Sequence, residues 1–241
     1  MKTSLIVIVF IAATSLAVST FGQSTATSPA PGSKMTNTGQ VAVPANPTGG
    51  TAATAPTGQP SAADMQKMMQ QMTEMSKLNE NHKLLSSLDG DWDYAIKFWM
   101  NPDPNAKPQE SKGTAIRKSI MGGRYVTMDV SGKMKMPDET GKMKDVMFKG
   151  MAIEGYDNVK KKFIASWVDN MGTGIEFSEG TYDPATKTFT YSMEMEPMPG
   201  MKTQVREVIR VPDNKHMMLE WYETQGGQEK KTMEINYTKK S

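Results

Sequence analysis

The chain contains no cysteine. That excludes a disulfide framework, a thiolate metal site, a cysteine nucleophile and lipid attachment through sulfur. Imidazole is almost as scarce, with only His82 and His216. A three-histidine zinc site is impossible, and a histidine–carboxylate site would need both of them together, so no metal is expected. Charge of one sign is missing too: 28 Lys and Arg stand against 26 Asp and Glu, a net charge of +2. Such a balance produces no field that would steer the protein to nucleic acid, and no nucleic-acid partner is expected. Gly-x-Ser-x-Gly, a P-loop, a dinucleotide fingerprint and His-Glu-x-x-His are all absent. No cofactor is therefore expected, and no reaction is indicated.

What is present falls into four stretches. Lys2 followed by the apolar run Leu5 to Val18 reads as an export signal, 1–22. Small residues supply a cleavage site after Gly22 or after Ser19. The run is short for a membrane span, so no span remains after cleavage; the alternative is an uncleaved N-terminal anchor. Residues 23–60 are Ala, Thr, Pro, Gly and Ser with almost no large apolar side chain. Such a segment cannot bury enough surface to offset its ordering entropy and is expected to be a disordered linker. Residues 61–82 change character and predict a Met-rich helix. Ser61 is its cap, Asp64 lies in its first turn, and Met65, Met68, Met72 and Met75 share one face. With 23 methionines in the chain, two readings of that face compete. One is apolar packing, with the helix docked by its Met stripe; the other is a thioether site for Cu(I) or a soft partner-binding surface.

Residues 83–241 are written as strand, turn, strand. The stretch Gly150 to Asp183 shows the pattern: Gly155-Tyr156-Asp157-Asn158 and Asn170-Met171-Gly172 reverse the chain between apolar runs. Ten strands are predicted, near 92–100, 111–121, 123–133, 145–156, 162–169, 174–182, 187–196, 202–211, 216–224 and 229–238. Short reversals make consecutive strands antiparallel, and no helical crossover interrupts them. Phe189, Tyr191, Met193 and Met195 alternate with polar residues, as do Met233, Ile235 and Tyr237. One face is apolar and the other wet. The expected fold is all-β, an antiparallel up-and-down β-barrel of about ten strands, which leaves no exposed sheet edge; a flat two-sheet sandwich is the alternative.

Gly90-Asp91-Trp92 resembles the opening of the first strand in the calycins, the lipocalin and fatty-acid-binding barrels. A wider set is more specific: His82-Lys83-x-Leu85, Phe98-Trp99, Gly122-Gly123-Arg124, Gly155-Tyr156-Asp157-Asn158, Trp167-x-Asp169-Asn170-x-Gly172 and Glu179-Gly180-Thr181-Tyr182-Asp183. Together these resemble an uncharacterised bacterial secreted family, domain-of-unknown-function family fifteen-seventy-nine, over roughly 78–241. The resemblance implies a calycin-like barrel and carries over no catalytic residue. It also implies a closing arginine near the C-terminus, either Arg206 or Arg210.

Individual residues admit competing readings. Asp89, Asp91 and Asp93 alternate like calcium ligands but lack the turn glycine and the later glutamate, which favours a wet strand face. His82 is either a general base or, in the favoured reading, a cation at a helix end by the barrel mouth. Trp92, Trp99, Trp167 and Trp221 either plug the barrel and its core or line a cavity. A barrel of eight to ten strands encloses either a filled core or one small ligand. The leading expectation is a secreted or periplasmic protein that binds a small apolar molecule inside the barrel. Tyr156, Trp167 and Tyr191 would line that site, and Arg124 would be the orienting charge. The second expectation is a non-enzymatic envelope module, its barrel packed solid, that meets a protein partner through the Met helix. An acid–base enzyme and a Met-dependent copper binder stand behind these two.

Overall fold

A computed structural model describes residues 60–99 and 107–241. The expected signal peptide (1–22), all but the last residue of the expected linker (23–60) and the start of the proline-rich loop (100–106) lie outside the described residues. Among the described residues, Gln71–Ser241 belongs to one compact unit and 60–70 to another.

The ten strands are present in chain order. They are β1 (Gly90–Phe98), β2 (Gln109–Ile120), β3 (Tyr125–Pro137), β4 (Met143–Asp157), β5 (Lys162–Asp169), β6 (Glu176–Asp183), β7 (Thr188–Met198), β8 (Met201–Arg210), β9 (His216–Gln225) and β10 (Gln228–Lys239). Each pairs antiparallel with the next. β1 also pairs with β10, Trp92 facing Lys239 and Phe98 facing Met233, so the sheet closes into an up-and-down barrel. Closure satisfies the backbone groups that an open edge would leave unpaired.

Short aspartate-based turns set the register. Asp157, Asp169, Asp183 and Asp213 each accept a hydrogen bond from the backbone N–H two residues on, at 2.7–2.9 Å. That side-chain bond stands in for a backbone turn bond and is why Asp opens these reversals. The β2–β3 turn is tighter: Met121, Gly122 and Gly123 all have positive φ, 49°, 68° and 86°. The third strand therefore starts at Tyr125, two residues later than the alternation predicts.

The predicted single helix is two helices, α1 (Ala62–Met75) and α2 (Glu80–Ser86). Ser61 caps the first: its Oγ accepts from the Asp64 N–H at 3.2 Å, while Asp64 accepts from the Ser61 N–H at 3.2 Å. Asn79 starts the second. Its side chain accepts from the Asn81 N–H at 3.0 Å, and His82 Nδ1 accepts from the Asn79 N–H at 3.2 Å. This reciprocal cap ends one helix and begins another, because it takes the donors that a continuous helix would use internally. The predicted burial of the Met face is corrected: no residue of α1 is buried, and Met65, Met68, Met72 and Met75 are 48–67% exposed.

α2 packs on β3 and β4 and shuts one end of the barrel. Leu85, Leu88 and Trp92 form the plug, and Trp92 Nε1 donates to the Leu88 carbonyl at 3.2 Å. The cation over the Trp92 ring is Lys239, 5.5 Å from the centroid. Neither candidate arginine takes that place: Arg206 stacks on Tyr222 and pairs with Glu229, and Arg210 pairs with Glu220. His82 is buried against the edge of Tyr156. Burial holds its pKa below the ordinary value, so it is the neutral acceptor of the α2 cap and not a helix-end cation.

Candidate functional site

Above the plug, the inward side chains leave a cavity of about 200 Å³. Its wall is mainly apolar, with Met128, Val130, Phe148, Leu219 and Ile235 among its residues. Large rings fit there because glycine faces them across the strands. A methyl group on Gly113 or Gly132 would collide with the Tyr94 hydroxyl, and one on Gly150 with the Trp167 indole. One on Gly180 would stand 2.6 Å from Tyr191. Glycine thus gives up β-propensity in exchange for aromatic packing against bare backbone.

Two indoles in the wall are held by acids two residues further along the same strand. Trp167 Nε1 donates to Asp169 at 2.9 Å, and Trp221 Nε1 donates to Glu223 at 3.3 Å. Asp169 also accepts from the Met171 and Gly172 N–H groups, and Glu223 from the Thr232 hydroxyl at 2.9 Å. Residues two apart on a strand share a face, so a Trp-x-acid spacing fixes the ring on the inner wall.

The centre of the cavity is polar. Arg117 on β2 and Glu154 on β4 form a two-pronged ion pair, Nη1 to Oε1 and Nη2 to Oε2, both 2.7 Å. Burial alone would disfavour the Arg117 charge; Glu154 more than compensates and holds its pKa above the ordinary value. The Arg117 Nε is buried and has no hydrogen-bond partner. Tyr191, Tyr237 and Glu207 join the pair. Tyr191 and Glu207 face each other across β7 and β8, and Tyr237 packs 6.0 Å from Tyr94. Burial pushes both tyrosine hydroxyls well above their usual range. Glu207 is raised to about 8, first by burial and then by the charges of Glu154 and Glu176. Part of Glu207 is accessible, but it lies on the inner face of β8, so that surface is cavity wall. Glu176, nearer the other end, is raised to about 7 by burial and by Asp169. At neutral pH the Glu207 carboxyl and the Tyr191 and Tyr237 phenols are therefore protonated, beside an arginine neutralised by Glu154.

The four residues singled out in the sequence divide evenly. Trp167 and Tyr191 line the cavity. Tyr156 sits below it in the plugged end, edge-on to Phe163 at 4.9 Å. Arg124 lies outside the cavity on the barrel's closed end and donates to the Ser76 carbonyl at 2.6 Å. Beside it, Asn158 Nδ2 donates to the Met75 and Lys77 carbonyls at 2.8 and 2.7 Å. Gly-Gly-Arg and Gly-Tyr-Asp-Asn thus clamp the break between α1 and α2. The interior arginine is Arg117, which sequence reasoning missed along with Glu154, Glu207 and Tyr237.

Fold and cavity together define a closed ten-stranded antiparallel barrel with a polar-centred, apolar-walled interior. Within that class, residues 77–239 match the family described as Protein of unknown function (DUF1579), and the chain belongs to that family. The match covers α2 and all ten barrel strands and leaves α1 outside. No curated protein matches the chain.

Proposed function

We propose that this protein is an exported, secreted or periplasmic, calycin-like barrel that binds one small, mainly apolar molecule in its interior. The observation that carries this reading is the cavity of about 200 Å³ with polar groups converging at its centre. A void of ~150 Å³ accepts benzene, whereas drug-sized ligands need ~300 Å³ or more. The occupant is therefore a single-ring or short-chain molecule and not a long lipid.

Titration with one-ring aromatic molecules tests this, followed by Trp emission and by amide NMR shifts. The expected result is shifts confined to inward positions of β1–β10 and a change in emission from Trp167 and Trp221. Ala165→Phe, which fills the space from β5, abolishes both while the far-ultraviolet spectrum stays that of the wild type. Shifts unaffected by that substitution would refute interior binding. A protein-partner role for α1 is the second reading, supported by its exposed Met face. Crosslinking from Met72 in exported protein, with a Met72→Lys control, tests it.

A further inference from the structure

The chemistry of the cavity's free polar groups narrows the ligand further; the inference rests on the interior-binding reading above. The first constraint is charge. Four acids line the cavity, Glu154, Asp169, Glu176 and Glu207, against Arg117 and Lys133. Lys133 is exposed and lies on the outward register of β3, between the inward Gly132 and Met134. Arg117 has both terminal nitrogens engaged by Glu154. A carboxylate ligand would enter without a free cation to meet it and beside the Glu154 carboxylate, a desolvation cost with no compensating pair.

The second constraint is hydrogen bonding. Among the described residues the hydroxyls of Tyr191 and Tyr237 and the carboxyl of Glu207 make no hydrogen bond. A phenol and a protonated carboxyl are both donors. Three donors on β7, β8 and β10 therefore face one space. A buried donor without an acceptor costs free energy, and an acceptor oxygen on the ligand removes that cost. An ammonium would bring further donors to a site already rich in them, and a plain hydrocarbon would leave all three unpaired.

We propose that the barrel selects a neutral molecule, slightly larger than benzene, that carries a carbonyl-type oxygen (ketone, ester, lactone or amide), held by Tyr191, Tyr237 and Glu207. Glu207 gives the site a pH limit. The groups facing it are Tyr191 on its own sheet neighbour and, across the interior, Arg117, Glu154, Glu176, Tyr94 and Tyr237. Once ionised, Glu207 accepts only and repels the carbonyl oxygen.

Four molecules of one size separate the possibilities by calorimetric titration: acetophenone, ethylbenzene, benzoate and benzylammonium. Acetophenone is expected to bind about tenfold or more tighter than ethylbenzene, since two hydrogen bonds to one oxygen are worth ~1 kcal/mol each, and benzoate and benzylammonium more weakly still. Acetophenone affinity falls between pH 7 and 9.5 in the wild type. Glu207→Gln, which keeps a donor and the volume, binds without that fall; Tyr191→Phe loses a factor of a few at every pH. Ethylbenzene binding as tightly as acetophenone, or benzoate or benzylammonium binding tightest, would overturn the carbonyl assignment and leave interior binding standing. Failure of all four to bind a folded protein would overturn interior binding itself.

Discussion

Glu207→Gln tests the account of the polar centre without any ligand. The wild-type carboxyl moves from an ordinary 4.5 to about 8 on folding. Between those values the folded state holds a proton that the unfolded state has lost. Stability therefore falls as pH rises through the window, and the loss is complete above pH 8. At ~1.4 kcal/mol per tenfold, the full effect is on the order of 5 kcal/mol, of which on the order of 2–3 falls between pH 6 and 9. Water entering the cavity reduces both figures. Glutamine fills the same volume, stays neutral and carries no such dependence. Glu176, raised to about 7, adds a smaller fall of the same sign to both proteins. Urea unfolding at pH 6, 7.5 and 9 should therefore show the variant gaining on the wild type by on the order of 2 kcal/mol across the series. Parallel curves would mean that Glu207 is already ionised or solvated at neutral pH, and the donor-lined cavity would fall with it.

Arg117→Met strands Glu154 in the interior and should cost about 3–5 kcal/mol in urea unfolding, whereas Arg117→Met with Glu154→Leu recovers most of that loss; a double variant no better than the single refutes the pairing. Gly150→Ala drives a methyl group into the Trp167 indole and should cost about 1–3 kcal/mol with a shift in Trp emission. Asn79→Ala removes the cap of α2 and should lower stability by about 1 kcal/mol, read by thermal unfolding. Replacing Met65, Met68, Met72 and Met75 together by Leu should change stability by less than about 0.5 kcal/mol, since none is buried; a larger loss would show that the face is packed in solution.

The barrel was legible because two independent signals agreed at each strand boundary. Asp157, Asp169, Asp183 and Asp213 mark turns by chemistry, and the alternation on either side marks strands by period. The helical segment misled because its apolar stripe looked like a packing face. Period reports that a helix is amphipathic, not that a surface awaits it. The break at Asn79 was visible only as a cap residue, and His82 does not match the usual Glu or Gln partner of such a cap.

The polar centre escaped for a more instructive reason. On β2, β4 and β6 the local pattern is inverted around the cavity. Ile116 is 49% exposed while its neighbour Arg117 is buried, Ile153 is exposed beside inward Glu154, and Phe177 is exposed beside buried Ser178. Read locally, each strand would be flipped, with its isoleucine or phenylalanine inside. The flip is forbidden by neighbours: a one-residue slip of β2 would carry Ala115 and Gly113 outward and leave Tyr94 no bare backbone to lie against. Register is a property of the closed sheet, so ten strands outvote any three. The inversion is costly, exposing three large apolar side chains and burying an ion pair, and sequences break the binary pattern this way chiefly where a site requires it. Had the strands been aligned by their turn positions and the inward residues read across the barrel instead of along each strand, Arg117, Glu154, Ser178, Tyr191, Glu207 and Tyr237 would have come up on one wall-to-wall layer. Arg124, chosen for the Gly-Gly-Arg motif, would have fallen in a turn.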